Sequence, residues 1–173
     1  IQKKLPLMLE VANKYTADYN IVIAGMKVHK TIYENLISNT NVKVIYEDTY
    51  NVLNHSFAAL VTSGTATLET AFFDVPQVVC YKSSWFSYII AKSLVKVKYI
   101  SLVNLILNKE CVKELIQSDL NKYSLTKELD NILKDDIRNS ILNDYQDLKS
   151  SCIGKGASKL TAIEMLKTIG FDK

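Results

Sequence analysis

Arginine is nearly absent from this chain: Arg138 is the only one among 173 residues, and the formal net charge is a modest +3. Nucleic-acid binders concentrate Arg and Lys in dense basic patches, so that class does not fit. Histidine is as scarce, with only His29 and His55, both read as loop residues with nothing to pair with. The three cysteines, Cys80, Cys111 and Cys152, are far apart and lack C-x-x-C spacing. No zinc pattern emerges from that set. An odd number of distant thiols, with Cys80 inside an apolar run, reads as reduced cysteine in a cytoplasmic setting. Two prolines and five glycines leave no low-complexity tract. No apolar run is long enough to span a bilayer, and no signal peptide is recognisable. Gly154-Lys155-Gly156 lacks the spacing of a P-loop. No set of residues forms a complete acid–base or nucleophilic centre.

What is present is ordinary globular material, with 48% hydrophobic and 23% charged residues. That amount suits one α/β domain with a proper core. The chain opens without Met, directly in a helical pattern, so a piece of a longer protein is expected. Pro6 to about Tyr19 predicts an amphipathic helix, and residues 19–25 a strand ending at Gly25. A helix over 30–37, a strand over 41–46 and a short helix over 50–53 follow. Next come a strand over 57–62, a helix over 65–73, a turn at Asp74-Val75-Pro76 and a strand over 77–81. A helix over 85–95 and a short strand over 98–101 are predicted after that, then helices over 112–116, 124–133, 136–148 and 157–169. Strands alternating with helices at this spacing indicate βαβ units and a mainly parallel sheet. From residue 106 onward the chain reads as a helical tail of the same domain.

The candidate site lies in Phe57–Glu69. A buried strand feeds through Ser63 and Gly64 into a helix, with Ser63 the expected N-cap. First-turn N–H groups have no partner inside a helix and meet the positive end of its dipole, which suits an anion. Thr65 and Glu69 are one turn apart on one face. Phosphates on the amides and ribose hydroxyls on Glu69 would suit a nucleotide. The same Ser-Gly-Thr join also occurs for capping alone, and the segment by itself does not separate the two. Its place at the carboxyl end of a parallel strand, where such sheets bind ligands, favours function. Lys82 follows a strand at that same edge. Between Asp74 and Glu110 there is no acidic residue, while Lys82, Lys92, Lys96, Lys98 and Lys109 alternate with Trp85, Phe86 and Tyr88. An anionic lipid surface would favour such a window, although lysine stems covering a buried helix explain it as well. Asn104 stands between apolar residues, where a backbone hydrogen bond is the simpler reading.

Four blocks in fixed order carry a more specific likeness: Ser63-Gly64-Thr65-Ala66-Thr67-Leu68-Glu69, Val75-Pro76-Gln77-Val78-Val79-Cys80-Tyr81-Lys82, Ile90 to Leu102, and Asn104-Leu105-Ile106. Glu114-Leu115-Ile116-Gln117 and Gly156-Ala157-Ser158 extend it. Together they resemble the lipid-A-disaccharide synthases over essentially the whole chain. The resemblance implies the C-terminal, donor-binding half of a GT-B glycosyltransferase: a Rossmann-like parallel sheet flanked by helices with a helical C-terminal tail, residues 1–173 forming one domain. The first strand, the Pro-Gly-Ser-Arg loop and the N-terminal acceptor domain with its catalytic carboxylate would precede Ile1. It further implies transfer of 2,3-diacylglucosamine from a UDP-activated donor to 2,3-diacylglucosamine 1-phosphate. Inversion, release of UDP, no metal and no cofactor go with that reading, as does the cytoplasmic face of the inner membrane of a Gram-negative bacterium. Ser63, Gly64, Thr65, Ala66 and Glu69 would hold the donor. Tyr81, Lys82 and Asn104 match family positions near the substrates, and no catalytic residue is expected in this chain. Val103 stands where the family usually has Pro, which would loosen the loop before Asn104. A UDP-N-acetylglucosamine 2-epimerase-like isomerase and a non-catalytic UDP-sugar-binding module are the alternatives.

Overall fold

The computed structural model describes residues 1–62, 64–82, 98–152 and 157–168. The helix predicted over 85–95 lies outside the described residues, as do Ser63 and Gly154-Lys155-Gly156.

The chain starts in α1 (Leu5–Ala12), with Pro6 in its first turn, where a missing N–H costs nothing. A 3-10 turn over Asn13–Tyr15 ends it earlier than Tyr19, the expected limit. Then come β1 (Val22–Gly25), α2 (Lys30–Ile37), β2 (Lys43–Tyr46), α3 (Thr49–Asn54), β3 (Ala59–Thr62), α4 (Thr65–Phe72) and β4 (Gln77–Tyr81). After these the order is α5 (Leu102–Leu107), β5 (Lys113–Ile116), α6 (Lys122–Ile132), α7 (Asp135–Cys152) and α8 (Ala157–Thr168). All strand pairs are parallel, as alternating strands and helices require.

Two predicted elements are corrected. The helix predicted over 112–116 is absent, and Lys113–Ile116 forms a strand: β5 pairs with β4 from Val78↔Lys113 to Tyr81↔Ile116. Pairing against β4, buried at every residue but Tyr81, overrides the helix-compatible composition of Lys-Glu-Leu-Ile. The stretch predicted as a strand over 98–101 is irregular and leads instead into α5, which Ser101 caps by accepting the Asn104 N–H. The stretch from residue 106 therefore carries a strand among its helices.

The strands fall into two sheets, β1–β2 and β3–β4–β5. The main core belongs to the second. Val78, Val79 and Cys80 of β4 are buried under Val11 of α1 and Leu125, Leu129 and Ile132 of α6, with Tyr145 and Leu148 of α7 in the same cluster. No residue of β1, α2, β2 or α3 enters that cluster; Tyr33, Val42 and Leu53 are buried apart from it. Ring contacts bridge the two parts, Tyr19 with Phe57 at 5.8 Å and Tyr50 stacked on Phe73 at 5.4 Å between centroids.

Candidate functional site

At the carboxyl edge of the second sheet, the register Thr62↔Cys80 sets the residues that leave β3 beside those that leave β4. Gly64 lies two residues past Thr62, and Lys82 two past Cys80. Tyr81, half-buried, closes β4, and its carbonyl accepts the Gln117 N–H at 2.9 Å, so the exits of β4 and β5 are tied as well. Lys82 is exposed at that rim. The sheet thus brings Gly64, Thr65, Ala66, Tyr81 and Lys82 to one edge.

Gly64, rather than the expected Ser63, is the N-cap of α4. Its backbone sits at φ 114° and ψ −158°, a conformation essentially reserved for glycine. A glycine at the cap brings no side-chain oxygen, and none caps this helix. The turn is held by Thr67 instead, whose N–H and Oγ1 both donate to the Gly64 carbonyl, at 3.1 and 2.8 Å. Among the described residues, an ideal Cβ on Gly64 would meet no atom within 4 Å, so none of them fills the space above this end of α4. Thr65 is exposed and Ala66 half-buried. The result is a helix start with its positive end turned toward open space at a sheet edge.

Glu69, one turn into α4, is half-buried. It lines an open depression of about 370 Å³ together with Glu47, Asp48, Thr49 and Tyr50. Those four residues form the exit of β2 and the start of α3, so the depression spans the junction between the two sheets. Glu47 takes a left-handed φ of 59°, and its Oε1 accepts the Lys27 N–H at 2.8 Å, locking the exits of β1 and β2 together. Sequence reasoning passed over Glu47, Asp48 and Tyr50. The available signal was positional: Glu-Asp-Thr directly after a strand stands at the same edge as Ser-Gly-Thr.

Asn104 is fully buried and its amide is spent within the fold. Oδ1 accepts the N–H groups of Cys111 and Val112 at 2.8 and 2.9 Å; Nδ2 donates to the Val112 carbonyl at 2.8 Å and to Glu114 Oε1 at 2.9 Å. Glu114 also accepts from the Ile100 and Ser101 N–H groups and from Ser101 Oγ. Any influence of Asn104 on a ligand passes through the loop it holds. The two buried thiols are not poised for chemistry: burial pushes Cys80 up to about 12 against the pull of nearby Lys4, and burial with Asp144 close by pushes Cys111 up to about 12.

Comparison with known proteins adds an independent finding. The family model described as lipid-A-disaccharide synthetase matches residues 1–167. Proteins named lipid-A-disaccharide synthase are similar to this chain. The one from Persephonella marina is 37% identical over 73% of the chain and 34% of its own length. Those from Anaeromyxobacter dehalogenans (strain 2CP-C) and Syntrophus aciditrophicus are each 32% identical, over 96% and 98% of the chain and 45% and 46% of their own lengths. The chain therefore spans less than half the length of the curated relatives it matches.

Proposed function

Because the chain belongs to the lipid-A-disaccharide synthetase family, we propose that it is the donor-binding half of a glycosyltransferase of lipid A assembly. The whole enzyme moves 2,3-diacylglucosamine from its UDP-activated donor to 2,3-diacylglucosamine 1-phosphate. The acceptor hydroxyl attacks the anomeric carbon, the bond from that carbon to the diphosphate oxygen breaks, and UDP departs with the electron pair. The acceptor proton passes to a carboxylate in an N-terminal domain that precedes Ile1, together with the first strand of this domain. The reaction takes place at the cytoplasmic face of the inner membrane of a Gram-negative bacterium. Among the described residues no helix is long and apolar enough to cross a membrane.

The observation that carries this reading is the open, glycine-capped start of α4 with Glu69 one turn on, beside a depression. Negative charge builds on the diphosphate as UDP leaves, and amides already aimed at it stabilise that charge without reorganising. Ser63, Gly64, Thr65 and Ala66 hold the diphosphate, and Glu69 accepts the ribose hydroxyls. Lys82 and Tyr81 flank the sugar at the neighbouring strand exit, and Asn104 keeps the following loop in place.

Titration of the chain with UDP and with UMP tests the assignment. UDP binds more tightly by about ten-fold, the worth of one or two charge-assisted hydrogen bonds to the second phosphate. Glu69→Ala weakens both nucleotides, since both carry the ribose. Equal affinity for UDP and UMP, or binding indifferent to Glu69→Ala, refutes the site. On this reading the chain on its own gives no transferase turnover, and an assay with both lipid substrates that detects UDP release would refute it.

A further inference from the structure

Gln77 is the first residue of β4 and is fully buried. Its Nε2 donates to the Thr67 carbonyl at 2.9 Å and to the Tyr145 hydroxyl at 3.1 Å, and that hydroxyl donates to the Val75 carbonyl at 3.2 Å. Its Oε1 has no partner among the described residues. An amide buried with its carbonyl oxygen unpaired is a poor choice for stability, because that oxygen loses its water and gains nothing. An unbranched apolar side chain of the same length would fill the space without that loss. What Gln77 supplies that such a residue cannot is the grip of Nε2 on Thr67.

Thr67 is the residue whose N–H and Oγ1 both hold the Gly64 carbonyl. Hydrogen bonds thus run without a break from Tyr145 on α7, through Gln77 and Thr67, to the glycine that caps α4. Every member but Gly64 is fully buried. We propose that Gln77 is a positioning residue for the diphosphate: it fixes the first turn of α4, and with it the direction of the Thr65 and Ala66 N–H groups. This rests on the donor-site reading above. Preset amide direction is worth more to a second phosphate than to the ribose, which Glu69 holds one turn away.

The test is titration of wild type, Gln77→Met and Tyr145→Phe with UDP and UMP, alongside thermal unfolding. Gln77→Met removes the grip and keeps the volume. Its Tm equals or exceeds that of wild type, while UDP weakens by about ten-fold, the order of one lost positioning hydrogen bond. UMP changes less, so the UDP-to-UMP affinity ratio collapses. Tyr145→Phe leaves the Thr67 bond in place but frees the far side of the amide, and lowers the ratio by less. An unchanged ratio in Gln77→Met overturns the proposal, even if Tm and both affinities fall together, since that pattern marks a residue needed only for packing. Should Gln77→Met fail to fold, Tyr145→Phe decides on the same criterion. A wild-type chain that does not distinguish UDP from UMP overturns the donor site itself; loss of the ratio in the variants alone concerns Gln77.

Discussion

Burial has set the chemistry of individual side chains more than charge has. Cys80 and Cys111 sit inside the main core with thiols held at about 12, whereas Cys152 is exposed near the end of α7. A thiol reagent such as DTNB therefore titrates one cysteine rapidly in the native protein and the other two only on unfolding; fast reaction of all three would contradict this packing. The two buried thiols also give stability an alkaline limit. In the unfolded chain each ionises near the ordinary thiol value of 9.0, whereas the fold keeps it neutral to about 12. The native state thus retains protons that the unfolded state has released, and stability falls as pH rises through that window. Urea midpoints at pH 8 and pH 10 show the decline, and Cys111→Ala reduces its slope. Gly64 stood out in the sequence for close backbone approach, while its role as the cap of α4 at φ 114° came only from the structure. Gln77 did not stand out, because a Gln in an apolar run reveals neither its partner on α7 nor an oxygen that finds none among the described residues.

At the scale of elements, the Asn104 side chain stitches α5 to β5. It accepts two consecutive backbone N–H groups at the approach to β5 and donates to Glu114 within it. Asn104→Leu leaves those groups buried without partners, which costs about 3 kcal/mol or more. Denaturant unfolding measures the loss, and a change well below 1 kcal/mol would mean that the loop re-pairs elsewhere. The same clamp explains where the sequence misled. Val112–Ile116 has too few residues for its periodicity to separate strand from helix. The deciding facts, parallel pairing with β4 and a buried Asn eight residues upstream, are both nonlocal. The alternation over β1 to β4 was readable because each short apolar run ends in a turn signal or a cap, as at Gly25 and Asp74-Val75-Pro76. The helix start at the site was off by one residue, since Gly64 caps α4 where Ser63 looked the better oxygen donor to its amides.

At the scale of the whole molecule, the described strands form two ladders and not one. The β1–β2 sheet has no share in the main core, and the ring pairs Tyr19–Phe57 and Tyr50–Phe73 are among its ties to the rest. The edge of β1 away from β2 and the edge of β3 away from β4 carry no strand among the described residues. The depression bounded by Glu47–Tyr50 on one side and Glu69 on the other crosses this seam. A nucleotide lodged in it would act as a staple, its two ends gripping pieces that otherwise breathe separately. In deuterium-labelling experiments the amides of β1 and β2 then exchange faster than those of β4 in the empty protein, and UDP slows the former far more than the latter. Uniform slowing would mean the two pieces already open as one.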